Sequence, residues 1–105
     1  MSETPYPEWY DSIKREYTEF MQAVESLGIA TRKQGPLDEK TINLIQLAAA
    51  AAIRSEGAVH SHTKRAVAGS ATPEEITHAI IVLTSTIGFP NVSAALSWVK
   101  DVSDR

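Results

Sequence analysis

Asn43 to Ile76 reads NLIQLAAAAAIRSEGAVHSHTKRAVAGSATPEEI, and this stretch decides the fold. Ile42, Leu44, Ile45 and Leu47 lead into five consecutive alanines, Ala48 to Ala52. Alanine loses no side-chain entropy in a helix and adds little bulk, so the run predicts a helix that its neighbours can approach closely. Gly57 is the expected break, after which residues 58–68 continue as a further helix on good local propensity. Thr72-Pro73-Glu74-Glu75 then supplies an N-cap hydroxyl, a proline at the first helical position and a glutamate three residues on, the components of a capping box.

Working outward, residues 7–27 place Ile13, Tyr17, Phe20, Val24 and Leu27 at alternating spacings of four and three, the apolar stripe of one long helix. Gly28 stands where a left-handed C-terminal cap is expected, and residues 30–36 read as a polar connector. Pro36 and Asp38 suit the start of the alanine-rich helix, Asp38 as an acceptor for free backbone N–H groups. On the other side, Ile76, Ile80, Leu83 and Ile87 mark one helical face, Gly88-Phe89-Pro90 ends it, and residues 91–102 form a last helix with Val92, Ala95, Leu96 and Val99 inward. No segment alternates as a strand between hairpin turns. The expectation is an all-α bundle of about five helices, one domain over residues 1–105.

The alanine run, the HSHTKRAVAGSATPEEI block and IGFPNVSAALSWV together resemble the carboxymuconolactone decarboxylase and alkylhydroperoxidase-D-like (AhpD-like) family. In that family an Ala-rich helix leads into C-x-x-C-x-x-x-H, a small-residue segment and a helix beginning T-P-E-E-I. The resemblance covers residues 37–102 and makes residues 1–36 an N-terminal amphipathic helix and connector. It places the family's motif histidine at His62, its two cysteine positions at Ser55 and Ala58, and the proton-relay glutamate at Asn43 within KTINLI. It also implies assembly of the chain with itself as a homotrimer, or a homohexamer built from trimers, with Trp9, Tyr10, Tyr17 and Phe20 offering apolar surface to a neighbouring subunit. The branch that dispenses with the cysteine pair implies a cofactor-free decarboxylase or isomerase acting on a small carboxylated lactone. His62 would be the acid or base, with Arg54 or Arg65 holding the carboxylate. The alternative is a helical oligomer that binds a small ligand or a protein partner without turnover.

The candidate residues also have readings of their own. His62 is the one member of the matched set able to transfer a proton near neutral pH, and its plain structural role would be a histidine bonded to a backbone carbonyl. Ser55 could be activated by His62, with Glu56 as the orienting carboxylate, or could simply be a small residue near a helix end. Glu56 and His60, four apart, could contact a ligand or form a solvated pair. As metal ligands they fall short of the three or four that zinc normally takes, and His78 adds a third only if the fold or a neighbouring subunit brings it close, so no metal is expected.

A formal charge of −3 and a pI of about 5.5 give no broad positive field, so nucleic acid is not an expected partner. No apolar run approaches the ~20 residues that span a bilayer, and MSETPYPEWYDSIKRE has neither a basic n-region nor an apolar h-region; the expectation is a cytoplasmic protein with no membrane partner. Cysteine is absent, which removes disulfides, thiolate metal sites and thiol nucleophiles. The purified protein is therefore expected to consume no hydroperoxide above a protein-free blank when a dithiol reductant is supplied, since no side chain can cycle between thiolate and disulfide.

Overall fold

The computed structural model describes residues 6–103, and among them every regular element is helical. The elements are α1 (Tyr6–Glu16), α2 (Thr18–Arg32), α3 (Glu39–Ala52), α4 (Glu56–Ala68), α5 (Pro73–Ile81), α6 (Thr84–Ile87) and α7 (Phe89–Ser103). The chain divides into two compact units at Pro36/Leu37. No helix among the described residues is long and apolar enough to cross a membrane.

The first unit pairs α1 with α2. The single long helix expected over residues 7–27 is broken at Tyr17, whose φ of −129° and ψ of 61° lie outside the helical region. The Thr18 hydroxyl donates to the Lys14 carbonyl at 2.9 Å, so a side chain takes over a carbonyl at the end of α1. Tyr10 donates its hydroxyl to Glu25 and Lys14 pairs with the same carboxylate at 3.2 Å, which ties the two helices together and holds the Glu25 carboxyl below its usual value, Tyr10 first and Lys14 second. Gly28 is not the cap expected of it: α2 runs through it to Arg32, and Lys33 closes the helix. Most of the apolar stripe stays in solvent, with Tyr17, Phe20, Val24 and Leu27 exposed by 62, 61, 42 and 65%.

The second unit holds the core. Asp38 caps α3, its carboxylate accepting from the Thr41 N–H at 2.8 Å, and Thr41, through its side chain first and its N–H second, keeps the Asp38 carboxyl below its usual value. α3 and α4 form a tight hairpin against which α7 and α5 pack. Ala50, Ala51 and Ala66 are buried in the seam with Leu47 and Val59, while Ile76, Ile80, Val92, Ala95 and Val99 close the core from α5 and α7. Leu96, Leu83 and Ile87 are partly buried against it.

The turn between α3 and α4 corrects the sequence reading. The break lies at residues 53–55, not at Gly57, which is buried inside α4. Arg54 adopts the left-handed conformation with φ +57°, its N–H bonding to Ala51 O and that of Ser55 to Ala50 O, both at 3.1 Å. This paired pattern is a Schellman motif with arginine where glycine is usual. α4 ends the same way: Ser70 has φ +76°, with Ser70 N–H on Val67 O at 3.1 Å and Ala71 N–H on Ala66 O at 2.9 Å.

The capping box forms as read, Thr72 Oγ1 accepting from Glu75 N–H at 3.1 Å and Glu75 accepting from Thr72 N–H at 2.9 Å. Lys40 reaches the same glutamate at 2.9 Å and fastens α3 to α5. The Thr72 N–H first, and Lys40 after it, hold the Glu75 carboxyl below its usual value. The helix it opens is interrupted at Val82 and Leu83, so α6 is a separate turn. Gly88, with φ +87°, redirects the chain, and α7 starts at Phe89 with Pro90 in its first turn, where no N–H is needed. The breaks at Tyr17 and at residues 82–83 account for seven helices among the described residues where about five were expected.

Ala51 is fully buried where α3 meets its neighbours. Ala51→Leu is expected to destabilise the fold by about 1–3 kcal/mol through overpacking, read as a lower urea midpoint at unchanged m-value.

Candidate functional site

The residues matched to the family motif lie on α3, on α4 and at its N-cap: Ser55 and Ala58 stand at the turn end of the hairpin, whereas Asn43 meets α4 at Arg65, one turn beyond His62. Ser55 is the N-cap of α4: its backbone is extended and its Oγ accepts from the Ala58 N–H at 3.3 Å. Ala58 is half-buried against the core. His62 sits one turn further on, half-buried, with its Nδ1 shielded from solvent.

Seven residues of helix put Ser55 and His62 about 10 Å apart along the axis, and the hydroxyl already serves as a cap. The arrangement is not that of a nucleophile held by its base, which needs ~3 Å. What the geometry gives Ser55 is the cap of α4.

Asn43 lies away from the Ser55 turn and towards His62 along the hairpin. It is buried, 3% exposed, and its Nδ2 donates to the Arg65 carbonyl at 3.4 Å, one turn beyond His62 on α4. Gly69 follows from that contact. A Cβ built there would stand 2.6 Å from Asn43 Nδ2, while φ at Gly69 is −89°, so the glycine leaves space for the Asn43 amide and is not there for backbone freedom. Asn43 thus stitches α3 to the closing turn of α4 at the position where the resemblance implies a relay glutamate.

Arg54 and Arg65 separate as well. Arg54 occupies the α3–α4 corner, donating to Asn91 Oδ1 and lying 5.9 Å from the Trp98 ring centroid. Arg65 is exposed and follows His62 by three positions, a neighbour on the helix surface.

The expected Glu56–His60 pair is only partly a surface feature. His60 is buried, 6% exposed, and its Nε2 lies 3.0 Å from Asp101 Oδ2 on α7 and 4.0 Å from Glu56 Oε2. Asp101 is 41 residues away in sequence, and no local pattern pointed to it. His78 is exposed on α5 and is not part of this group.

The sequence profile of the Carboxymuconolactone decarboxylase family matches residues 18–101. The chain belongs to that family. An uncharacterised protein of Methanocaldococcus jannaschii, MJ1511, is 31% identical over 103 residues, which span 98% of this chain and 96% of that one. The crystal structure of apo-lpg0406, a carboxymuconolactone decarboxylase family protein from Legionella pneumophila, superposes with a TM-score of 0.84 at 27% identity, covering 94% of this chain and 88% of that one. Within this carboxymuconolactone decarboxylase fold the chain carries no cysteine, so its α4 keeps the scaffold without thiols.

Ser55 and Ala58 occupy the N-cap and third helical positions of α4, where backbone N–H groups favour a thiolate. The double variant Ser55→Cys, Ala58→Cys is expected to form an intramolecular disulfide under mild oxidant, detected by thiol titration and mass. A folded variant that stays reduced would show that the register assigned to His62 is wrong.

Proposed function

We propose that this carboxymuconolactone decarboxylase family member works by acid–base chemistry without thiols, as a cofactor-free decarboxylase or isomerase of a small carboxylated lactone-type metabolite. His62 is the general acid or base. The observation that carries the reading is His62 itself, half-buried on α4, while the other matched positions hold Asn43, Ser55 and Ala58, none of which titrates near neutral pH. Decarboxylation needs a cation to hold the carboxylate and an acid to protonate the carbanion-like product. Arg65 is the better of the two arginines for the first task, because Arg54 is engaged by Asn91 and Trp98 at the helix corner.

A second reading is a non-catalytic helical oligomer that binds a small ligand or a protein partner. It is favoured by Ser55 and Asn43, which both commit polar groups to the backbone.

In either reading we take the working form to be a cytoplasmic homotrimer, or a homohexamer built from trimers. Its support is the exposed stripe on α1 and α2, where Trp9, Tyr17, Phe20 and Leu27 each leave more than half of their surface in solvent. A partner copy would bury that area at ~25 cal/mol per Å² of apolar surface.

His62→Gln is expected to lower turnover of a carboxymuconolactone, followed by CO₂ release, by roughly 10²–10⁴-fold with an unchanged urea midpoint. Loss of about 1–3 kcal/mol of stability with ligand binding per folded subunit intact would instead select the non-catalytic reading. The assembly is tested separately. Phe20→Glu combined with Leu27→Glu is expected to shift the sedimentation coefficient to that of a monomer, and a wild-type protein that already sediments as a monomer would overturn the oligomer.

A further inference from the structure

We propose that Glu56, His60 and Asp101 form a binding site for a divalent transition-metal ion, on a different face of α4 from His62. Glu56 and His60 are one turn apart on α4, and Asp101 comes across from α7. One ligand atom from each lies within 4.8 Å of the other two. The carboxylates are exposed, whereas the His60 side chain is 8% exposed and its Nε2 is aimed between them.

The separations from Nε2 are compatible with an ion held by the three groups, and the 3.0 Å contact to Asp101 is also an ordinary hydrogen bond. Metal bonds of about 2.0–2.2 Å to imidazole nitrogen and carboxylate oxygen place neighbouring ligand atoms ~3.0–3.5 Å apart and opposite ones ~4.2 Å apart. The observed separations from Nε2 are 3.0 Å to Asp101 and 4.0 Å to Glu56. A proton on Nε2 satisfies Asp101 at 3.0 Å but not Glu56 at 4.0 Å, which is beyond hydrogen-bond range. That leaves a second anionic oxygen converging on one imidazole, and a dication between the three groups neutralises both carboxylates.

The donor set selects the class of ion. One imidazole with two carboxylates suits zinc, manganese or cobalt, whereas calcium takes six to eight oxygens and magnesium keeps several waters. Burial fixes the imidazole before the ion arrives, and the exposed carboxylates leave further coordination positions open to water. The inner nitrogen tempers the affinity. His60 Nδ1 is buried and has no hydrogen-bond partner among the described residues, so ligation through Nε2 leaves an unmatched N–H at Nδ1. Missing outer partners of this kind weaken metal binding by roughly 10–100-fold, so the expected affinity is below that of a site with a fully bonded imidazole.

The test titrates the full chain with zinc chloride and, separately, manganese chloride in a non-chelating buffer, by calorimetry and by thermal unfolding. One ion per chain and a raised Tm are expected for at least one of the two metals. Glu56→Gln and Asp101→Asn, both at exposed positions, should each weaken binding of that metal tenfold or more while the helical circular dichroism spectrum is retained. His78→Gln, the exposed histidine outside the group, should leave binding unchanged. His60→Gln empties a buried position and is therefore not the deciding variant. The proposal is overturned if neither metal binds at one ion per chain, if both acid variants bind as wild type does, or if His78→Gln weakens binding as much as they do.

Discussion

Close approach of α3 and α4 is the constraint on which the rest of the second unit depends. Helices of 14 and 13 residues are marginal alone in water, and they are held here by each other and by α5 and α7. Alanines at 50, 51 and 66 let the two backbones meet, and each helix ends in a left-handed turn that satisfies its last carbonyls. Asn43 reaches across to the Arg65 carbonyl, and the missing side chain of Gly69 leaves room for its amide. Lys40–Glu75 and Arg54–Asn91 then hold α5 and α7 to the same pair of helices.

That constraint explains how a helical scaffold outlasts a particular chemistry. An N-cap must offer an acceptor to the free N–H groups, and serine does so without a reactive thiol. A buried position beside a backbone carbonyl favours a neutral amide donor, which is what Asn43 supplies; a carboxylate there would be desolvated against an acceptor. Both substitutions are consistent with the hairpin's own packing, so the matched positions can carry structure irrespective of catalysis. His62 is the one matched position whose side chain can carry a proton near neutral pH, and for that reason the proposed chemistry centres on it.

Legibility in the sequence followed the range of the interaction. Asp38 as N-cap, the Thr72–Glu75 capping box and the alanine seam were readable because cap, partner and helix lie within a few residues. The breaks were harder. At Tyr17 the deciding group is the Thr18 hydroxyl competing for a backbone carbonyl, which a periodicity argument does not weigh. At Arg54 and Ser70 the left-handed residue is not glycine, at a local cost of roughly 1–2 kcal/mol that the paired turn bonds offset, so the nearby Gly57 drew the expected break three residues too late. The His60–Asp101 contact joins α4 to α7 across 41 residues and depends on tertiary packing alone, so local spacing pointed only to a surface pair with Glu56.

An alanine-lined seam also limits what the folded chain gains from burial. Of the eleven residues in the hydrophobic cluster five are alanines, each removing far less apolar area from water than a leucine or isoleucine would. Meanwhile Ile53, Val67, Ile81, Val82 and Phe89 in this unit are about half exposed or more, as are most of the large apolar side chains of α1 and α2. A chain of this length buries only about two thirds of its unfolded surface, which leaves a thin margin against conformational entropy. Small residues inside and large apolar residues outside are the distribution expected when part of the stabilising burial comes from association. In that arrangement the tight α3–α4 hairpin fixes the fold, and the bulky outer residues are the surface on which the proposed association would draw.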